Sequence, residues 1–211
     1  MESNQVNYAL LFADMRRHLL AVRPTATIDI TKEIKEFFRS RFSSTHNVLC
    51  SHATSSEYLT DILVSTFEPK TVLRQRTLEL IPSEVNVLLA AESELGGVGA
   101  SSAYGVMKNV VEDYLKLLII RCQYRVMIFT SLPYANEVEH VLKRVELLRS
   151  LYQRTAGLSS GVLLVHLCGS QPTSSQVQAL VSEESIRGFE ISADGLSSKE
   201  IDIRAIDVSA A

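Results

Sequence analysis

Apolar positions recur at helical spacing in four parts of the chain and in short alternating or unbroken runs elsewhere. Residues 6–21, VNYALLFADMRRHLLA, place Leu10, Leu11, Met15 and Leu19 on one helical face. Thr31 precedes a second helix over Lys32–Phe42, with Ile34, Phe37 and Phe38 together. A third runs from about Tyr104 to Cys122. A fourth covers Ala135–Arg154, with Val138, Val141, Leu142, Val145, Leu148 and Leu151 in register and Gly157 after its end. Strands are predicted for Glu57–Pro69, rich in β-branched and aromatic residues, and for VNVLLAAESE after Pro82. Further strands are predicted for YRVMIFTSLP up to Pro133 and for Gly161–Cys168. The strand ending at Glu94 is apolar on both faces, as a central strand of a covered sheet is.

The stretch Ser43–Ser56 reads as a loop, residues 71–81 as extended or irregular, and GGVGASSAYG as a flexible loop. Gln176–Val181 suggests a short helix. IRGFEIS and EIDIRAIDV are expected as edge strands, the last alternating through Ile201, Ile203 and Ala205. Helices that alternate with strands imply an α/β fold with a mixed central β-sheet flanked by helices. No internal repeat and no low-complexity segment interrupts the order.

Composition narrows the classes. The chain has 211 residues, 46% of them hydrophobic, and a formal net charge of −3, so it is long enough for a sizeable core and not globally basic. A protein that binds nucleic acid without specificity is usually basic, which leaves a local patch as the means of contact. Cys50, Cys122 and Cys168 have no CxxC spacing, which fits reduced thiols and a cytoplasmic location. The opening residues do not make a signal peptide, and no apolar stretch approaches the roughly 20 residues of a membrane span, so no membrane partner is expected.

The chemistry lies where elements end. Glu92 and Glu94 are two apart at the end of an apolar strand and share a face. Asp61 sits among Ile62, Leu63 and Val64. Lys116 lies on the third helix, at i+3 from Asp113 and i+4 from Glu112, in an otherwise apolar sequence. Three carboxylates and a lysine are the ingredients of a magnesium-dependent phosphodiesterase, because magnesium takes oxygen ligands and a lysine steadies phosphate charge. Each residue also has a plain reading. Glu92 and Glu94 would be solvated residues opening a loop, Asp61 the cap of a turn or a partner of Arg74 or Arg76, and Lys116 a cation that snorkels to the surface or pairs with Glu112.

Asp61 on one strand, Glu92-x-Glu94 on the next and a helix beside them resemble the PD-(D/E)xK nuclease superfamily, the restriction-endonuclease-like fold. The blocks EYLTD, AESELGG and EDYLKLL together also resemble a group of uncharacterised bacterial nuclease-like proteins. The resemblance covers roughly residues 50–130. It departs from the common pattern in two ways. Glu94 stands where lysine is usual, and Thr60, not proline, precedes Asp61. A lysine moved to the neighbouring helix is a variation of that superfamily, and Lys116 fits it.

The resemblance implies a single α/β domain over 1–211, with N-terminal helices in 1–45, a nuclease-like core in 50–170 and a C-terminal β tail in 171–211. It implies a DNA endonuclease using Mg²⁺, with Mn²⁺ as substitute, and Asp61, Glu92 and Glu94 as ligands. Lys116 would stabilise the phosphate or orient the attacking water. The alternative is a catalytically inactive module of the same fold in a larger defence or repair complex. The Ala135–Arg154 helix and the β tail offer a surface for a homodimer.

The other candidates are weaker. The five histidines lack metal-ligand spacing, no Gly-x-Ser-x-Gly elbow is present, and the glycine-rich loop lacks the ending of a P-loop. Arg16, Arg17, Arg23, Lys32, Lys35, Arg39 and Arg41 crowd the N-terminal helices, and Lys70, Arg74 and Arg76 lie between the acidic strands. These would track a phosphate backbone if they faced the cleft.

Overall fold

The structure, a computed structural model, describes residues 6–51, 57–68, 85–96, 101–171 and 176–209. The predicted irregular stretch 71–81, Arg74 and Arg76 among it, Lys70 and residues 97–100 of the glycine-rich loop lie outside these.

Two helices lead. α1 (Tyr8–Val22) starts at Asn7, whose side chain accepts a hydrogen bond from the Leu10 amide at 3.0 Å. α2 (Thr27–Phe42) begins one turn before the expected start and buries Ile30, Ile34, Phe37, Phe38 and Phe42. Next come β1 (Asn47–Cys50), β2 (Ile62–Ser65) and β3 (Val87–Glu94). α3 (Ala103–Ile119) opens on Ser102, whose hydroxyl accepts from the Gly105 amide at 3.0 Å. β4 (Tyr124–Ser131), α4 (His140–Arg154) and β5 (Val162–Ser170) follow. The chain closes with β6 (Gln178–Ala179), β7 (Ile186–Ile191), β8 (Ser198–Glu200) and α5 (Ile203–Ser209).

The strands form one mixed sheet in the order β1-β2-β3-β4-β5-β7-β8, with β6 also on β5. β3, β4 and β5 are parallel to their neighbours in that centre; the flanking pairs are antiparallel. The fold is therefore α/β with a central mixed sheet flanked by helices. Alternation along the strands divides the core. Ile62, Val64, Leu89, Ala91, Ile128 and Val165 face α1 and α2. Leu63, Ala90, Met127, Phe129 and Leu164 face α3 and α4. Gly188 lets α1 lie close to β7: a Cβ there would stand 2.6 Å from the Phe12 ring. No helix among the described residues is long and apolar enough to cross a membrane.

Several local expectations are corrected. The stretch expected as a loop contains β1, because Val48, Leu49 and Cys50 find a ladder on β2. The strand expected over Glu57–Pro69 shortens to four residues, and Asp61 stands just before it. Asn136 and Glu139 adopt positive φ, so α4 starts at His140 and not at Ala135. Gln176–Val181 contains a short strand where a helix was expected. The last segment is not a strand beyond Glu200: the Asp202 side chain accepts from the Arg204 amide at 2.9 Å and starts α5.

Candidate functional site

β2 runs antiparallel to β3 with Ile62 opposite Ala91, so the register carries Asp61 alongside Glu92. The backbone fastens the two acids together. The Asp61 amide donates to Glu92 Oε2 at 3.4 Å, and the Ser93 amide donates to Asp61 Oδ2 at 2.9 Å. Glu92 follows Ala90 on the face covered by α3. Its side chain is 3% exposed, and its Oε1 accepts no hydrogen bond. Lys116 reaches toward that oxygen from α3, 3.6 Å away, while holding Asp113 at 2.6 Å.

These positions set the charges. Burial, reinforced by the negative charge of Asp61, pushes the Glu92 carboxyl up to about 7 against the pull of Lys116. Burial also raises Asp61, against the hydrogen bond from the Ser93 amide. Lys116 is raised first by its hydrogen bond to Asp113. The surface pairing of Lys116 with Glu112 does not form. Glu112 instead lies 3.6 Å from Lys108.

Glu94 shares the face of Glu92 but accepts from the Gly96 amide at 3.0 Å, in the turn that ends the strand. Gly96 takes φ +82° there, and a Cβ would meet the Val177 carbonyl at 2.6 Å. Among the described residues no group of three or more histidine, cysteine, aspartate or glutamate side chains is arranged to hold a metal ion. The structure thus couples Asp61, Glu92 and Lys116 and turns Glu94 toward its own loop.

Two residues at this end of the sheet pair in a way the sequence reading did not anticipate: Glu57, and Lys35, which it placed only among the N-terminal cations. Lys35 on α2 is 9% exposed in its side chain and donates to Ser51 Oγ at 2.5 Å and to Glu57 Oε1 at 2.7 Å. Its hydrogen bond holds the Glu57 carboxyl below the usual range. The signal was present: Lys35 lies one turn before Phe38 and two before Phe42, on the buried side of the helix.

The other N-terminal cations differ. Arg17 and Arg41 both pair with Asp14, and Arg16 donates to the Glu183 carbonyl at 2.9 Å. Of the histidines, His166 lies 1% exposed inside the sheet, its Nε2 at 2.9 Å from Ser131 Oγ. Comparison with family models, with curated proteins and with solved structures finds no match.

Proposed function

We propose that this chain is a metal-dependent phosphodiesterase that cuts DNA, with a restriction-endonuclease-like arrangement of its sheet. One observation carries the reading: Asp61 and Glu92 are clasped side by side, and a buried oxygen of Glu92 has no hydrogen-bond donor. Lys116 makes only a long ion pair with that oxygen, at 3.6 Å, and two adjacent carboxylates fit a divalent cation that would approach more closely. Magnesium keeps several waters and needs one or two protein carboxylates, so Asp61 and Glu92 suffice to hold it. Glu94 would take a water of that ion or the attacking water once released from the Gly96 amide.

When bound, the ion supplies charge neutralisation of the phosphate and a more acidic water. Asp61 and Glu92, at the end of β3, would be the residues to hold such an ion. Lys116, 52% exposed, is free to swing toward a phosphate oxygen while Asp113 anchors it. In this reading the protein works in the cytoplasm, with its three free cysteines reduced.

The test is cleavage of supercoiled, linear and single-stranded DNA with Mg²⁺, Mn²⁺ or EDTA, beside a Glu92→Ala control. Metal-dependent cutting that vanishes in the variant supports the reading. A second reading, a non-catalytic module of the same fold in a larger assembly, is favoured by Glu94, whose carboxylate is engaged by the Gly96 amide at 3.0 Å. It gains if no DNA is cut and calorimetry shows no Mn²⁺ binding.

A further inference from the structure

Burying Lys35 desolvates an ammonium group, and its acidic partner Glu57 is 47% exposed, so the pair adds little stability of its own. What the pair does is pin the chain. Lys35 Nζ donates to Glu57 Oε1 at 2.7 Å and to Ser51 Oγ at 2.5 Å, which ties residue 57 to α2 and to the end of β1. Three and four residues on, the chain is pinned again. The buried Thr60 hydroxyl donates to the Ile62 carbonyl at 3.0 Å, and Asp61 is clasped to β3 through Glu92 and Ser93. Between the two anchors stand Tyr58 and Leu59, 41% and 69% exposed. Leu59 holds φ +70°, the one apolar side chain at positive φ among the described residues. A bulky side chain is disfavoured there, and such strain persists where flanking contacts over-determine the backbone.

Tyr58 and Leu59 thus form an exposed apolar surface next to the acidic pair: at most about 11 Å of chain separates the Tyr58 and Asp61 backbones. A phosphodiester bound at Asp61 and Glu92 carries its nearest bases one sugar away. Within the nuclease reading, on which this step rests, we propose that Tyr58 is the stacking platform for an unpaired base beside the bond that is cut, and that the substrate is therefore single-stranded DNA or a frayed end. Bases inside a duplex have both faces covered by their neighbours. An unpaired base offers a free face, and an exposed aromatic ring accepts any base. Lys116, 52% exposed on α3, remains for the backbone phosphate. The Lys35–Glu57 clasp and the strained backbone at Leu59 hold the ring in place before a strand arrives.

The chain contains no tryptophan, so Tyr58→Trp places a single reporter at the platform. Binding of a short oligothymidylate to the full chain in Mg²⁺ is read within the first turnover after mixing. Tryptophan quenching reports it in Tyr58→Trp; the anisotropy of a labelled strand reports it in wild type, Tyr58→Ala and Tyr58→Phe. Blunt duplex is the control, and circular dichroism checks folding. Tyr58→Ala is expected to bind the single strand about tenfold more weakly, the loss of one stacked base, with duplex affinity unchanged and Tyr58→Phe near wild type. The Tyr58→Trp emission should fall as the strand binds. If Tyr58→Ala does not fold, the quenching decides. Wild-type affinity in Tyr58→Ala, or no quenching at a saturating strand concentration, overturns this inference; cutting that still needs Glu92 then leaves the nuclease reading standing. Equal losses on single strand and duplex overturn the unpaired-base assignment. Tyr58-dependent binding without cutting overturns the nuclease reading alone. No DNA binding by the wild type overturns both.

Discussion

Asp61 and Glu92 face each other across the β2–β3 ladder and exchange backbone hydrogen bonds: the Asp61 amide serves Glu92, and the amide after Glu92 serves Asp61. Neither carboxylate can turn away without breaking its neighbour's contact. Two carboxyl groups are thereby fixed together in a buried place, where a second negative charge is costly.

That relationship predicts a stability gain on neutralising Glu92. Glu92→Gln keeps the shape and removes one of two adjacent negative charges. At pH 8 without divalent cation, the variant should be more stable by on the order of 1 kcal/mol, a Tm rise of about 2–4 °C. Thermal melts with and without EDTA check this. A Tm below that of the wild type would mean that Glu92 is a structural residue.

Lys116 is bound to Asp113 and only approached by Glu92, so its loss should act on the reaction more than on the ion. Lys116→Ala is expected to lower turnover by about 10²–10³ while Mn²⁺ affinity changes little. Single-turnover cleavage beside calorimetry separates the two. Unchanged turnover removes the lysine from the mechanism.

His166 gives a pH dependence remote from the acidic site. Burial, with the nearby His140 and Arg187 charges, depresses its folded-state protonation to about 3, against about 6.5 when unfolded. The unfolded chain then binds the extra proton at any pH between these values. The contribution is intact above about 6.5 and is lost as pH falls toward 3, at up to about 1.4 kcal/mol per pH unit. Urea melts from pH 7 to pH 4 should show the loss, and His166→Gln should flatten it. An equal slope in the variant would assign the loss to other groups.

Arg125 ties the far end of the sheet to α3. Its guanidinium donates to the Leu117 carbonyl at 3.2 Å, the Ile120 carbonyl at 2.8 Å and Ser160 Oγ at 3.0 Å. Arg125→Met leaves the two carbonyls at the C-terminal end of α3, and Ser160 Oγ just before β5, without that donor. The expected cost is on the order of 3 kcal/mol, measured by denaturant unfolding, with Mn²⁺ affinity unchanged in the folded fraction. A cost below about 1 kcal/mol would show that water replaces the guanidinium.

The sequence by itself determined the layering. The 3.6-residue periodicity of α1, α3 and α4 and the two-sided apolar runs of β3, β4 and β5 require helices on both faces of a sheet, because each apolar face must find cover. It also determined that Glu92 and Glu94 share a face, since that follows from the pleat alone. Where local patterns were weak, tertiary partners decided. β1 exists because β2 offers a ladder, and α5 displaced an alternating strand because Asp202 caps it. The pairing of Asp61 with Glu92 depends on strand register. The choice of Asp113 and Glu92 over Glu112 for Lys116 depends on how α3 packs on the sheet. The meeting of Lys35 with Glu57 joins residues 22 apart on different elements. Spacing along a chain fixes which side chains share a face; only packing fixes which of them come within reach across elements.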